Sequence, residues 1–204
     1  MAVLEPDLFR QSYFAGPATT RSTKIWKDAA KECDGILLPA DEYYAIQGIV
    51  ASLRNHPAAS KALFGPEGFN EATYISGGLK CRADRVTRAG ALVDLKTTQD
   101  ASMPAFQKSV VNFNYHIQAA FYMRVVEMAT GHKPVAFVFV AVEKTPPYAC
   151  QVFYASHLML SEGEKRVDDL LGQLEEMRQK YDKSPWPAYS DTPVSLELPR
   201  WALK

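Results

Sequence analysis

Asp84, Asp94 and Lys96 stand where a β-sheet ordinarily takes apolar or neutral side chains. They belong to the stretch ADRVTRAGALVDLKTTQDAS, residues 83–102, whose two short apolar–polar runs read as adjacent strands. Residues two apart on a strand share a face, so Asp94 and Lys96 point the same way. A hairpin of Arg82–Thr87 and Leu92–Thr97 would bring Asp84 opposite them. Two carboxylates packed together repel, and burial raises that cost. A divalent cation removes the conflict: two carboxylates, the Leu95 backbone carbonyl and several waters suit Mg²⁺ or Mn²⁺. Lys96 beside such a cation would orient its bound water and stabilise charge developing on a phosphate. Those are the parts needed to hydrolyse a phosphodiester. An Asp-x-Lys pair alone is more often a surface ion pair. Asp84 on the preceding strand is what points to chemistry.

A helix over 114–131 adds Gln118 and Tyr122, four apart on one face, with Tyr115 one turn back. Such a stripe is either a core edge or a wall against a DNA backbone or base, and the residue types leave both open. His116 turns away from the Gln118 face and is left as a DNA contact. His56, in NHPAAS, reads as a helix-end or packing residue before it reads as a ligand. Glu71 reads as an exposed acid at a strand end. Gly77-Gly78 reads as a hairpin turn and not a phosphate loop, because no helix and no Lys-Ser/Thr follow.

The elements that must hold these residues follow from pattern. Residues 1–22 read as irregular, broken by Pro6, Gly16 and Pro17. Helices are predicted over 23–33 and 39–56, the second with Asp41 as N-cap, and HPAASKALF adds a turn or two. Three β-rich runs, 72–78, 79–86 and 91–98, form a meander of hairpins. Helices over 102–113 and 114–131 follow, the second closed by Gly131. The nearly all-apolar run 133–144 suits a strand covered on both faces. It pairs with 148–155 through a turn at Pro146-Pro147. A long helix spans 156–182. The Pro-rich tail is expected to anchor through Trp186, Tyr189, Leu198 and Trp201. The predicted fold class is α/β of the α+β type, one domain with a mixed central sheet flanked by helices.

Bulk composition limits the alternatives. The 204 residues are 47% hydrophobic and 23% charged, with a formal net charge of zero. Charge alone suggests no nucleic-acid partner, though a local basic patch is compatible with neutrality. Lys80, Arg82, Arg85 and Arg88 form such a cluster, read most simply as a solvated strand face. Cys33, Cys81 and Cys150 are widely spaced without a CxxC, which supports neither a zinc site nor a disulfide framework. With no signal-peptide pattern and no long apolar run, the expectation is a cytoplasmic protein with no membrane partner.

Asp84, then Asp94-Leu95-Lys96, then YHIQAAFY with Gln118 and Tyr122, resembles the PD-(D/E)XK nuclease superfamily. The Gln-x-x-x-Tyr helix is similar to its RecB-like branch. The nuclease domain of RecE-type exonucleases (exodeoxyribonuclease VIII) and their phage relatives resembles LEPDLF, KCRADRV, VDLKTTQDAS, YHIQAAFY, FVAVEKTPPYA and WPAY, from about Leu4 to Trp201. The resemblance implies a restriction-endonuclease-like core. It implies a Mg²⁺-dependent exonuclease that degrades linear double-stranded DNA from its ends, 5′ to 3′, in phage or prophage recombination. It casts Asp84, Asp94 and the Leu95 carbonyl as metal ligands, and Lys96 as the residue that activates or positions water. Gln118 and Tyr122 would complete the catalytic site and touch the DNA strand. It further implies a single-strand annealing partner and a ring-like homo-oligomer. Members carry a metal-side His on a helix just before LEPD. This sequence begins three residues before Leu4 and has no His there, so a domain truncated at its N-terminus with weak or no activity is expected. The alternative is a catalytically impaired remnant, or a DNA-binding or assembly protein that keeps the fold.

Overall fold

Between Gly68 and Tyr154 the chain lays down five strands and one two-helix crossover. The computed structural model describes residues 1–190 and 192–202. Its main sheet runs β3 (Gly68–Ser76), β4 (Leu79–Thr87), β5 (Ala91–Thr98), β6 (Ala136–Glu143), β7 (Cys150–Tyr154), in that spatial order. Sequential hairpins make β3–β4, β4–β5 and β6–β7 antiparallel. Gly77, Gly78 and Gly90 take the positive φ that these turns require. β5 and β6 are parallel. A parallel pair needs a long crossover, and α5 (Met103–Asn112) and α6 (Tyr115–Thr130) supply it.

Strand alternation at the sheet centre sorts residues between two cores. Leu92, Phe137, Phe139 and Ala141 face Phe106 of α5 and Ala119, Met123 and Val126 of α6. Val93, Val138, Val140 and Val142 face Leu53 of α3 (Ala40–Asn55) and Ala59 and Leu63 of α4 (Pro57–Phe64). The six central residues of β6 are all buried, as expected for a strand covered on both sides. By the same alternation Asp94 falls on the α6 face of β5, and Leu95 packs on the α3–α4 face.

The N-terminal expectation needs correction. Residues 1–22 are not irregular: α1 spans Pro6–Ser12, and β1 (Tyr13–Ala15) pairs in parallel with β2 (Ile36–Leu38). Both elements are too short to show a period. Pro6 also starts the helix rather than breaking it, since a first-turn N–H has no helical partner to lose. Thr23 caps α2 (Lys24–Glu32) by accepting from the Trp26 N–H at 3.2 Å. Asp41 does not cap α3. Pro39 holds that position without a side-chain bond, and Asp41 lies in the first turn, where its charge suits the positive helix end. Gly131 closes α6 in the left-handed region as expected.

The described residues divide into two compact units, Met1–Val167 and Asp168–Lys204. The last helix, α7 (His157–Lys180), begins in the first and ends in the second. In the second unit a short 3-10 turn forms at Arg200–Ala202. Tyr189 and Trp201 are 98% and 86% exposed, and Trp186 and Leu198 are exposed as well. Among the described residues no helix is long and apolar enough to cross a membrane.

Gly163 lets α7 approach α6. A Cβ there would overlap the His116 carbonyl oxygen and lie 2.9 Å from Ala120 Cβ. Helix propensity alone favours Ala over Gly by about 1 kcal/mol. We expect the opposite sign here: Gly163→Ala should destabilise by about 1–3 kcal/mol in denaturant melts, because overpacking against backbone outweighs propensity.

Candidate active site

The β4–β5 ladder is short. Only Arg85↔Val93 and Val86↔Leu92 pair, and one step further that register brings Asp84 level with Asp94, where the strands part. The Leu95 N–H donates to Asp84 Oδ2 at 2.8 Å instead of to a β4 carbonyl. A residue in an extended strand presents its N–H and C=O to the same edge. The Leu95 carbonyl therefore faces the same gap.

On the α6 side of that gap, three side chains close a network. Gln118 Nε2 donates to Asp94 Oδ1 at 2.8 Å, and Lys96 Nζ donates to Gln118 Oε1 at 3.0 Å. Lys96 Nζ also lies 2.6 Å from Asp94 Oδ2. That contact is an ion pair without hydrogen-bond geometry, so the buried Oδ2 accepts no hydrogen bond. Asp94 is 3% exposed. Lys96 Nζ sits 4.6 Å above the Tyr115 ring, which adds cation–π attraction. Tyr122 lies one turn along α6 from Gln118, on the same helical face.

Asp84, Asp94, Leu95, Lys96, Gln118 and Tyr122 thus meet, with Tyr115 beside Lys96. Burial pushes the Asp84 carboxyl above its ordinary value, and the Asp94 charge pushes it further; the Leu95 N–H and Lys96 act against both. Burial likewise raises the Tyr122 and Tyr115 hydroxyls, with the Asp94 charge adding to each.

Other residues resolve into structural roles. His56 caps α4, its Nδ1 accepting from the Ala59 N–H at 3.2 Å. Glu71 pairs with Arg82 at 2.7 Å. The His116 carbonyl lies against Gly163, off the Gln118 face. The basic cluster is not one solvated face. Arg88 pairs with Glu67, while Arg85 is 6% exposed and donates to Asn70 Oδ1 at 2.6 Å and the Gly65 carbonyl at 2.5 Å. A charge pattern cannot show that a long Arg side chain is tying a strand to the end of a neighbouring helix. Two further residues near Lys96 escaped sequence reading, Phe113 and Lys144. Phe113 breaks no pattern at a helix end, and its exposure is the only signal that sets it apart.

A family profile matches residues 1–193, and its description is a PDDEXK-like domain of unknown function, DUF3799. The chain belongs to this family. Its fold is that of the PD-(D/E)XK superfamily. Among solved structures, the chain is similar to a "Putative exonuclease" from Eubacterium rectale. That match has 18% identity over 83% of this chain and 70% of the other, with a TM-score of 0.59. It is also similar to an alkaline exonuclease, LHK-Exo, from Laribacter hongkongensis. There the identity is 15% over 61% of this chain and 65% of the other, and the TM-score of 0.35 is too low to carry an argument. No curated protein matches significantly.

The donor set of this PDDEXK-like chain fits a hard divalent cation. It offers Asp94 Oδ2, a buried carboxylate oxygen that accepts no hydrogen bond and faces the Lys96 ammonium, a second carboxylate whose ionised form is disfavoured by burial and by the Asp94 charge, and a carbonyl at the same edge. Among the described residues no third His, Cys, Asp or Glu joins them.

The raised Asp84 pKa has a thermodynamic consequence. The unfolded state ionises near the ordinary value of 3.8, while the folded state holds the proton to higher pH. Folding stability is therefore intact below that value and is lost as pH rises through the folded one. In metal-free buffer, Asp84→Asn should melt above the wild type at pH 7, and the gap should close as pH falls towards 3.8. Thermal melts across pH check both parts.

Proposed function

We propose that this chain is a metal-dependent deoxyribonuclease that hydrolyses phosphodiester bonds of linear double-stranded DNA from its ends. The observation that carries this is the meeting of Asp84, Asp94 and Lys96 in one gap, bridged by Gln118. Membership of a PDDEXK-like family and a fold shared with a solved structure described as an exonuclease support it. The finer assignment is a RecE-type enzyme cutting 5′ to 3′ in prophage recombination, with an annealing partner and a homo-oligomeric ring in the cytoplasm. It rests on the motif resemblance.

Held by Asp84, Asp94 and the Leu95 carbonyl, Mg²⁺ or Mn²⁺ would supply an acidified water and neutralise phosphate charge. The protein's own groups do the rest. Gln118 fixes the Asp94 rotamer through Oδ1, and Oδ2 faces the Lys96 ammonium. Its carbonyl oxygen and the Tyr115 face hold the Lys96 ammonium at the gap's edge. There Lys96 donates to the attacking water or to a non-bridging phosphate oxygen, where negative charge grows in the transition state. Tyr122, one turn along α6 from Gln118, would border the strand path.

The second reading is a DNA-binding remnant. Its support is that among the described residues no third metal-ligating side chain joins Asp84 and Asp94. Incubation with linear and circular duplex DNA, in Mg²⁺ and in EDTA, separates the two. An exonuclease destroys the linear form only, and only in Mg²⁺; a remnant retards DNA in a gel and cuts neither. Lys96→Ala should lower the cutting rate by about 10²–10³-fold, the scale for a positioned transition-state donor. It should also lower metal-free stability, because Asp94 then keeps its buried charge without an ion-pair partner. A variant that cuts at the wild-type rate would remove Lys96 from the mechanism.

A further inference from the structure

A cavity of about 200 Å³ opens beside Lys96. Lys96 forms one side, and Phe106, Phe113 and Tyr115 supply three aromatic rings. Lys144 and Ser109 complete the rim. Among the described residues no carboxylate lines it, and Lys144 gives it a positive charge beyond the Lys96–Asp94 ion pair, although the chain as a whole is neutral. The rings are ordered among themselves. Phe113 and Tyr115 stack with centroids 5.6 Å apart, and Phe106 lies 6.1 Å from Tyr115.

Two features are unexplained by folding. Phe113 is 65% exposed, although it stands at the junction of α5 and α6 beside a well-filled core. Asn114 takes a left-handed φ of 56°, which turns the chain sharply between the helices and fixes where Phe113 projects. Lys144 is exposed at the end of β6, and its backbone N–H donates to the Thr98 carbonyl at 3.1 Å, tying it to the end of β5. A solvent-facing aromatic ring fixed by a sharp turn, with a cation across a small cavity, is the arrangement that accepts an unstacked nucleotide.

We propose that this cavity is a subsite for one unpaired nucleotide of the DNA strand entering the site, its base stacked on Phe113 and its phosphate held by Lys144. The inference rests on the deoxyribonuclease reading and deepens it. Lys96 borders both places, so a strand threaded past Lys96 puts one nucleotide in the cavity and the neighbouring phosphodiester at Asp84 and Asp94. Such a subsite favours frayed or single-stranded ends, because a paired base has both faces occupied in the duplex.

The test uses a short fluorescein-labelled single-stranded oligonucleotide and fluorescence anisotropy with the full chain in Ca²⁺, which takes the same oxygen ligands as Mg²⁺. Phe113→Ala should weaken binding roughly 5- to 100-fold, the range for loss of one base–aromatic stack, and Phe113→Trp should restore it. Lys144→Ala should reduce the slope of log K against log salt by about 0.7, one phosphate contact on a single strand. Ile75→Ala, an exposed apolar change on β3, serves as the control and should change neither quantity. If Phe113→Ala and Lys144→Ala bind like the wild type while the wild type cuts linear DNA, the subsite is wrong and the nuclease stands. If the wild type neither binds the oligonucleotide nor cuts DNA, both fall.

Discussion

The opposition of Asp84 and Asp94 governs the site. Two carboxylates are brought level at the point where β4 and β5 separate, one of them almost wholly buried. Like charges at that depth are unfavourable, and the surrounding groups are arranged to contain the conflict. Leu95 turns a ladder N–H onto Asp84, Lys96 lies against Asp94, and Gln118 bridges Asp94 to Lys96. Even so, Asp94 Oδ2 has no hydrogen-bond donor, and Asp84 resists ionisation. A fold selected for stability alone would place an apolar pair there.

The rest of the molecule serves that placement. β5 and β6 form the only parallel pair in the main sheet, and the crossover this requires delivers α6 to the face of β5 that carries Asp94. Gln118 and Tyr122 follow from the helical period once α6 packs through Ala119, Met123 and Val126. Gly163 then allows α7 to lie close behind α6. α3 and α4 cover the other face of the sheet, where Val93 is buried and Leu95 partly so.

Much of this was legible in the sequence for a physical reason. Strand alternation is strict, so Asp94 and Lys96 had to share a face, and a short turn at Ala89-Gly90 fixed Asp84 near them. The all-apolar β6 announced a central strand. The failures have equally specific causes. α1 and β1 are shorter than the window over which a period shows, and Asp41 offered a capping residue one position inside the helix. Arg85 looked like one more surface charge, because nothing local reveals a carbonyl at Gly65 and an amide at Asn70 waiting for a guanidinium. The tail aromatics are exposed, which composition does not reveal. Long-range polar partners and unpartnered aromatic side chains are the two things that residue pattern does not encode.

The central claim is that the carboxylate pair exists to hold a cation, and it is tested most directly by calorimetric titration of the metal-free chain with Mn²⁺. The account predicts one saturable site, lost or severely weakened in both Asp84→Asn and Asp94→Asn, with each variant still folded. Undetectable binding by the wild type, or binding that survives both substitutions unchanged, would contradict it.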